Sequence, residues 1–240
     1  MPIGAVSFGM FVAGGVRLNP DPNRDNAVLL LPLTDGGGGA LDVTDYSPNP
    51  KTLTDGGAAS WQTSVQKFYG GAASFPGSGN QQILAPVTTD FQLGSGSWSV
   101  MFFHRRITAA GSSSVLQFGA GTDSYSMLVG YADGGNLLFY VSTTGSGWAA
   151  NGSIGASDNT AFHHFALTYD GSNIRSYRDG SLVATVAFSG TVYQNANRVS
   201  IGHIQGGSKI NAYVADIRIY KGVAVSTGAT LNVPDSILAE

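Results

Sequence analysis

Residues 161–190, AFHHFALTYDGSNIRSYRDGSLVATVAFSG, spell three strands and both turns between them without a break. Segments 162–169, 174–177 and 182–188 are rich in β-branched and aromatic residues, the types that suit a pleated, half-buried surface. Asp170-Gly171 and Asp179-Gly180 separate them. Asp and Gly reach positive φ at little cost, so each pair can reverse the chain and fix the register on either side. An antiparallel meander is predicted. Two adjacent hairpins cannot bury their faces alone, so the remaining chain must supply a second sheet.

Working outward, the same rhythm recurs. Short apolar runs at 28–31, 51–54, 72–75, 81–85, 98–107, 115–118, 125–131, 136–141, 199–204 and 213–220 are punctuated by Gly, Pro and Asx turns, the spacing of an all-β sandwich. In 98–107, Trp98, Val100, Phe102, His104 and Arg106 share one face. Ser99, Met101, Phe103, Arg105 and Ile107 share the other, and the strand is expected to leave the core at His104. Gly36 to Gly39 reads as a flexible loop, and 142–157, made of Gly, Ser, Thr and Asn with one Trp, as the longest weakly patterned connection of the second half. Such loops on a rigid sandwich are where recognition usually lives.

The chain has 240 residues, 42% of them hydrophobic, enough to bury one substantial core. Only 11% are charged and Glu occurs once, at Glu240, so helix-favouring Glu/Lys surfaces are missing. A formal charge of −3 with 12 dispersed basic residues argues against nucleic acid, which needs clustered Lys and Arg. With no Cys there are no disulfides, thiolate metal sites or Cys nucleophiles. No run reaches membrane-spanning length, and the apolar start, broken by Gly4, Gly9, Gly14 and Gly15, reads poorly as a signal peptide.

Phe162-His163-His164-Phe165-Ala166-Leu167-Thr168-Tyr169-Asp170-Gly171, then Ile174-Arg175-Ser176-Tyr177-Arg178-Asp179-Gly180, Ser200-Ile201-Gly202 and 213–220, YVADIRIY, resemble the laminin G-like branch of the concanavalin A-like lectin/glucanase superfamily. Phe162 replaces the usual Trp, and Ala215 the first acid of the closing motif. Segments 28–32, 45–49, 67–75 and 98–103 are similar to the family's opening strands. The resemblance implies a two-sheet antiparallel jelly-roll sandwich over residues 25–225, with 1–24 as an N-terminal arm and linker and 226–240 as a C-terminal tail. The 45–49 opening, the Lys67-Phe68-Tyr69-Gly70-Gly71 turn and the Arg218-to-Ala224 ending are also similar to bacteriophage virion proteins. That implies a decoration, knob or fibre protein at the virion surface, assembled in the host cytoplasm, or an extracellular or cell-surface module. Its partners would be other subunits of the assembly or further copies of itself.

Candidate chemistry follows. The glucanase branch uses paired Glu, which this chain lacks, and no Asp-x-Asp stands in for it. Asp42 and Asp45 sit in a turn region and suit local hydrogen bonding. The chain is therefore read as non-catalytic, an Asp-based glycan hydrolase being the remote alternative. His163 and His164 point to opposite faces and cannot grip one ion, so both are read, with His104 and His203, as hydrogen-bonded core residues. Asp216, among Val214, Ile217 and Ile219, needs a partner. The resemblance implies a structural Ca²⁺ held with backbone carbonyls of Gly70 or Gly71; a salt bridge to a nearby Arg or a hydrogen bond to the backbone is the favoured alternative. Trp148, flanked by Asn151, suits sugar stacking, or folds back over the sandwich end. Asp123, Tyr125, Tyr193, Asn195 and Gln205 lie in other loops and could complete a glycan or host-surface site. Ile3, Val6, Phe8, Met10, Phe11 and Val12 form an apolar arm suited to docking on a partner subunit. The alternative is a purely structural capsid or tail subunit without a ligand.

Overall fold

Alternating apolar residues in the long strands require both sheets to turn one face inward, and a computed structural model places them so. It describes residues 11–12, 16–19, 21–108, 113–119, 125–194, 198–203, 209–235 and 237–238, backbone only at 11–12, 16–19, 131–133 and 237–238. With strands numbered in chain order, one sheet runs β17 (Ser181–Ala187), β16 (Asn173–Arg178), β15 (His163–Tyr169), β10 (Trp98–Arg106), β19 (Asn211–Lys221), β8 (Ala72–Pro76) and β7 (Ser60–Gln62). β3 (Ala27–Leu31) also pairs with β19. The facing sheet runs β14 (Ala150–Ala156), β13 (Asn136–Val141), β12 (Tyr125–Asp133), β11 (Leu116–Gly119), β18 (Val199–Ile201), β9 (Ile83–Leu84) and β6 (Thr54–Asp55). Every pairing within these two sheets is antiparallel.

Trp98, Val100, Phe102, Phe118, Phe139, Phe165, Leu167 and Ile219 belong to the continuous core between the sheets. The meander expected from 161–190 is β15–β16–β17, with Ala166 opposite Tyr177 and Ser176 opposite Ala184. Its second turn holds Asp179 at φ +50 and Gly180 at φ +79, the left-handed conformations that the Asp-Gly pair was expected to supply.

Four expectations need correction. The connection read over 142–157 ends at Ala149, and Ala150–Ala156 is edge strand β14. Its sequence, ANGSIGA, is weak in β propensity because small residues are needed there: a Cβ on Gly152 would lie 2.8 Å from Phe139 Cε1 and 3.3 Å from Val186 Cγ2. Gly36 to Gly39 is no free loop but the bend of a hairpin between β4 (Thr34–Gly37) and β5 (Ala40–Asp42). At 51–54 only Thr54 is in a strand, since the Lys51 N–H is already donated to Asp45 Oδ2 at 2.8 Å. β10 does not leave the core at His104, which is 4% exposed and bonds Ser157 Oγ through Nδ1 at 2.7 Å.

The outer face of the first sheet carries a second apolar layer of Ala27, Leu30, Met101, Ala166, Tyr177, Tyr220 and Leu231, against which Tyr46, Val223 and Val225 pack. Residues 222–231 cross this face as a strap. Ser99 Oγ donates to Val223 O (2.9 Å), Thr168 Oγ1 to Ser226 O (2.8 Å) and Tyr177 Oη to Gly228 O (2.8 Å). Leu182 N–H then donates to Ala229 O and Leu231 N–H to Gly180 O. The strap inserts three apolar side chains, Val223, Val225 and Leu231, and supplies the acceptors for three outward hydroxyls.

His164, on that outer face, is 1% exposed and neither ring nitrogen has a hydrogen-bond partner, so it is a core histidine without the expected bonds. Burial, reinforced by the Arg218 charge, pushes its pKa down to about 3, and burial with Arg106 does the same to His104. Both are neutral in the folded chain while the unfolded chain titrates near 6.5. Stability is therefore expected to be level above about pH 6.5 and to fall as pH drops from there towards 3. Each histidine contributes a slope of about 1.4 kcal/mol per pH unit. Urea unfolding at pH 7.5 and 5.0 measures this loss, and His164→Leu is expected to remove about half of it.

Candidate functional site

Strand β13 turns Leu137, Phe139 and Val141 into the core, which by parity puts Leu138 and Tyr140 on the opposite, outer face. Beyond it the chain is held in a short loop, 142–149. The Ser142 hydroxyl, with the residue 1% exposed, accepts the N–H groups of Thr144 (3.2 Å) and Gly145 (2.8 Å). Ala149 N–H donates to Val141 O at 2.8 Å and closes the loop; Tyr125 N–H donates to Gly145 O at 3.2 Å. Tyr193 is fixed behind it, its N–H on Ser142 O and its C=O accepting from Ser126 Oγ at 2.7 Å.

This frame carries Trp148, 41% exposed, with Tyr125 on one side and Tyr140 on another. Ring centroids are 5.9 Å apart at 30° for Tyr125 and 5.3 Å apart at 48° for Tyr140. Trp148 therefore stands at the surface, braced by two tyrosines. Exposed Asn151 pairs across the ladder with Tyr140. Of the residues singled out from sequence, Trp148, Tyr125 and Asn151 come together and Tyr193 adjoins them through Gly145. Asp123, Asn195 and Gln205 lie outside the described residues. Tyr140 was missed, although its outward parity against Phe139 and Val141 was readable. The described residues of the patch, Tyr125, Tyr140, Thr143, Thr144, Trp148, Asn151 and Tyr193, carry no formal charge, so what they offer is aromatic surface and neutral hydrogen-bonding groups.

The acids and histidines are engaged elsewhere. His163 sets Nδ1 at 2.7 Å from Asp179 Oδ2 and Nε2 at 2.8 Å from Asp158 Oδ2; bonds from Thr160 and His163 hold Asp158 well below the usual carboxylate range. His164 faces the other side, its ring 4.9 Å from that of Phe103. Asp45 is buried and accepts from Leu30 N, Ser47 N and Oγ, and Lys51 N, while Asp42 accepts from Thr34 and Thr44. Among the described residues no three His, Asp or Glu gather in a way that could hold a metal ion.

Asp216 sits at φ +52 with its N–H on Pro32 O. Arg218 grips both carboxylate oxygens, Nε to Oδ1 at 3.0 Å and Nη2 to Oδ2 at 2.6 Å. Its Nη1 lies 3.7 Å from Asp21 Oδ2, which accepts from Tyr220 Oη at 2.6 Å. Burial drives the Asp216 pKa up against the Arg218 charge that opposes the rise. Gly70, at φ +83, and Gly71 shape a turn in which Lys67 N–H donates to Gly71 O, and Gly71 lies against Trp61. Of the arm, Phe11 and Val12 form β1, which pairs with β2 (Val16–Asn19). β2 in turn runs parallel to β20 (Ile237–Leu238) of the same chain. Ile3, Val6, Phe8 and Met10 lie outside the described residues.

Residues 77–227 match the family model of the concanavalin A-like lectin/glucanases superfamily, and the chain belongs to that family. Similar solved structures include binding domains of toxins. That of Paraclostridial Mosquitocidal Protein 1 has a TM-score of 0.64 at 11% identity, over 87% of this chain and 50% of the other. That of botulinum neurotoxin serotype G has 0.66 at 15%, over 84% and 49%. Domain 4 of a GH43 extracellular arabinanase from Geobacillus stearothermophilus, in complex with arabinotriose, has 0.57 at 17%, over 76% and 88%. The chain spans about half the length of the toxin binding domains, and at these identities the likeness is one of fold. No curated protein matches the sequence.

Two substitutions test this geometry. Asp216→Asn strips the buried guanidinium of its counter-charge and is expected to cost about 3–5 kcal/mol, read from urea unfolding with and without added Ca²⁺; equal losses in both assign the carboxylate to Arg218. Gly145→Val puts a side chain into the Tyr193 ring at φ +88 and is expected to displace the 142–149 loop, altering the Trp near-UV circular dichroism.

Proposed function

We propose that the chain is a non-catalytic, lectin-like binding module that engages uncharged faces of a glycan at the rim formed by Trp148, Tyr125, Tyr140 and Asn151. The observation that carries this reading is the exposed Trp148 ring packed against two tyrosines. Stacking on sugar C–H faces needs such a platform fixed in advance, because ordering it on binding would consume affinity. Asn151 adds an amide able both to donate to and accept from hydroxyls. Fold-level company supports the reading: one neighbour was solved with arabinotriose, and another, of botulinum neurotoxin type C, is titled for its interaction with two ganglioside molecules. The lack of any Glu before Glu240 supports binding without hydrolysis.

The resemblance of segments 45–49, 67–71 and 218–224 to virion proteins supports placing the module on a phage surface, docked through its N-terminal arm. There many weak copies would gain avidity from effective concentration. A glycan array followed by titration calorimetry tests the binding. Trp148→Ala is expected to weaken it by about tenfold or more, the scale of about 1.4 kcal/mol, while leaving the melting temperature within a few degrees. Binding that survives Trp148→Ala, or a chain that binds no glycan and acts only as a stable assembly subunit, would overturn the reading.

A further inference from the structure

A sheet edge left open is a template for another strand, and proteins normally close it. Most edges here are closed. On β14, Ser176 Oγ donates to Ser153 O at 2.7 Å and Arg178 Nε to Ala156 O at 2.8 Å. On β3, Leu30 N–H donates to Asp45 Oδ1 and Leu30 O accepts from Tyr46 N. On β7, Trp61 N–H donates to Gly39 O, and β6 is only two residues long.

β17 differs. The strap covers only its first residues, through Leu182 N–H to Ala229 O and a bridge from Ser181 to Thr230. Beyond that, Phe188 N–H points back to Ser172 O, so strand alternation turns the N–H and C=O of Thr185 and Ala187 outward. Neither finds a partner on that side among the described residues. SLVATVA contains no charge and no Pro, the devices that discourage edge pairing. Leu182 and Val183 are 38% and 41% exposed, and Arg175, next to Thr185 on β16, has its charge met by Asp170.

We propose that this edge pairs with the same edge of a second copy of the chain, extending the first sheet across a two-fold axis. An antiparallel, uncharged strand is self-complementary under such an axis. With the axis at Val186, Thr185 of one copy exchanges both backbone bonds with Ala187 of the other and the reverse, giving four hydrogen bonds. The strap blocks Gly180 to Leu182 and so fixes this register. The contact is small and the pairing weak and concentration-dependent.

Sedimentation equilibrium over about 10 µM to 1 mM is expected to show the mass rising from one chain towards two. Thr185→Pro removes an outward N–H without breaking the β16 ladder, and Lys at exposed Ala187 (Ala187→Lys) sets the two like charges diagonally across the axis, about 7–8 Å apart. Each is expected to weaken dimerisation by about tenfold or more. If Thr185→Pro melts well below the parent, Ala187→Lys alone carries the comparison. A mass of one chain at every concentration, or a dimer untouched by Ala187→Lys, would overturn the proposal. The pairing uses the backbone edge of β17 and the binding reading the Trp148 ring, so a monomer that still binds glycan would refute the pairing and leave the binding reading intact.

Discussion

Strand β19 has β10 along one edge and must satisfy two partners along the other, β8 at residues 211–214 and β3 at residues 217–220. A straight strand cannot change neighbours midway without a local break in its ladder. The break falls at Asp216, in a left-handed conformation that Asp adopts more readily than most residues with a side chain, and at the register shift against β10 between Met101 and Phe103. Pro32 O takes up the displaced Asp216 N–H, and Arg218 neutralises the carboxylate that the bulge carries into the protein. The centre of one sheet, and the position of every strand on either side of it, rests on that arrangement.

The same bulge aims Arg218 and Tyr220 at Asp21, which ties the segment before β3 to the last long strand. Buried ion pairs of this kind add little net stability against a well-packed apolar alternative, but removing one partner is costly. Their effect here is geometric. They hold β3 in register beside β19, and the outer layer of Leu30, Met101 and Tyr220 forms on the surface that results.

How far the sequence could be read depended on whether a segment's structure follows from its own residues. The β15–β17 meander was legible because Asp-Gly pairs and β-branched runs specify turn and strand locally. β14 was not, because its Gly and Ser residues answer to Phe139 and Val186 on other strands. His104 looked like a strand leaving the core, yet Ser157, more than fifty positions away, gives its ring a partner inside. At the rim, Trp148 and Asn151 could be singled out by residue type. Tyr140 required knowing which face of β13 was buried, and the bracing of the loop by Ser142 and Tyr193 is visible only once distant segments are placed together. For Asp216 a salt bridge to a nearby Arg or a backbone hydrogen bond was favoured over a bound ion, but nothing in the chain announced Arg218 as the partner or the left-handed backbone beneath the pair.

The strap over the first sheet has a consequence for biosynthesis. Every strand of the two sheets precedes residues 222–231 in the chain, so a chain synthesised only as far as β19 has one side of that sheet bare. The hydroxyls of Ser99, Thr168 and Tyr177 then lack the carbonyls of Val223, Ser226 and Gly228, which are translated after them. Until those residues clear the exit tunnel, the nascent domain presents a greasy surface to chaperones and to its neighbours on the polysome, and a stalled or clipped product would keep it.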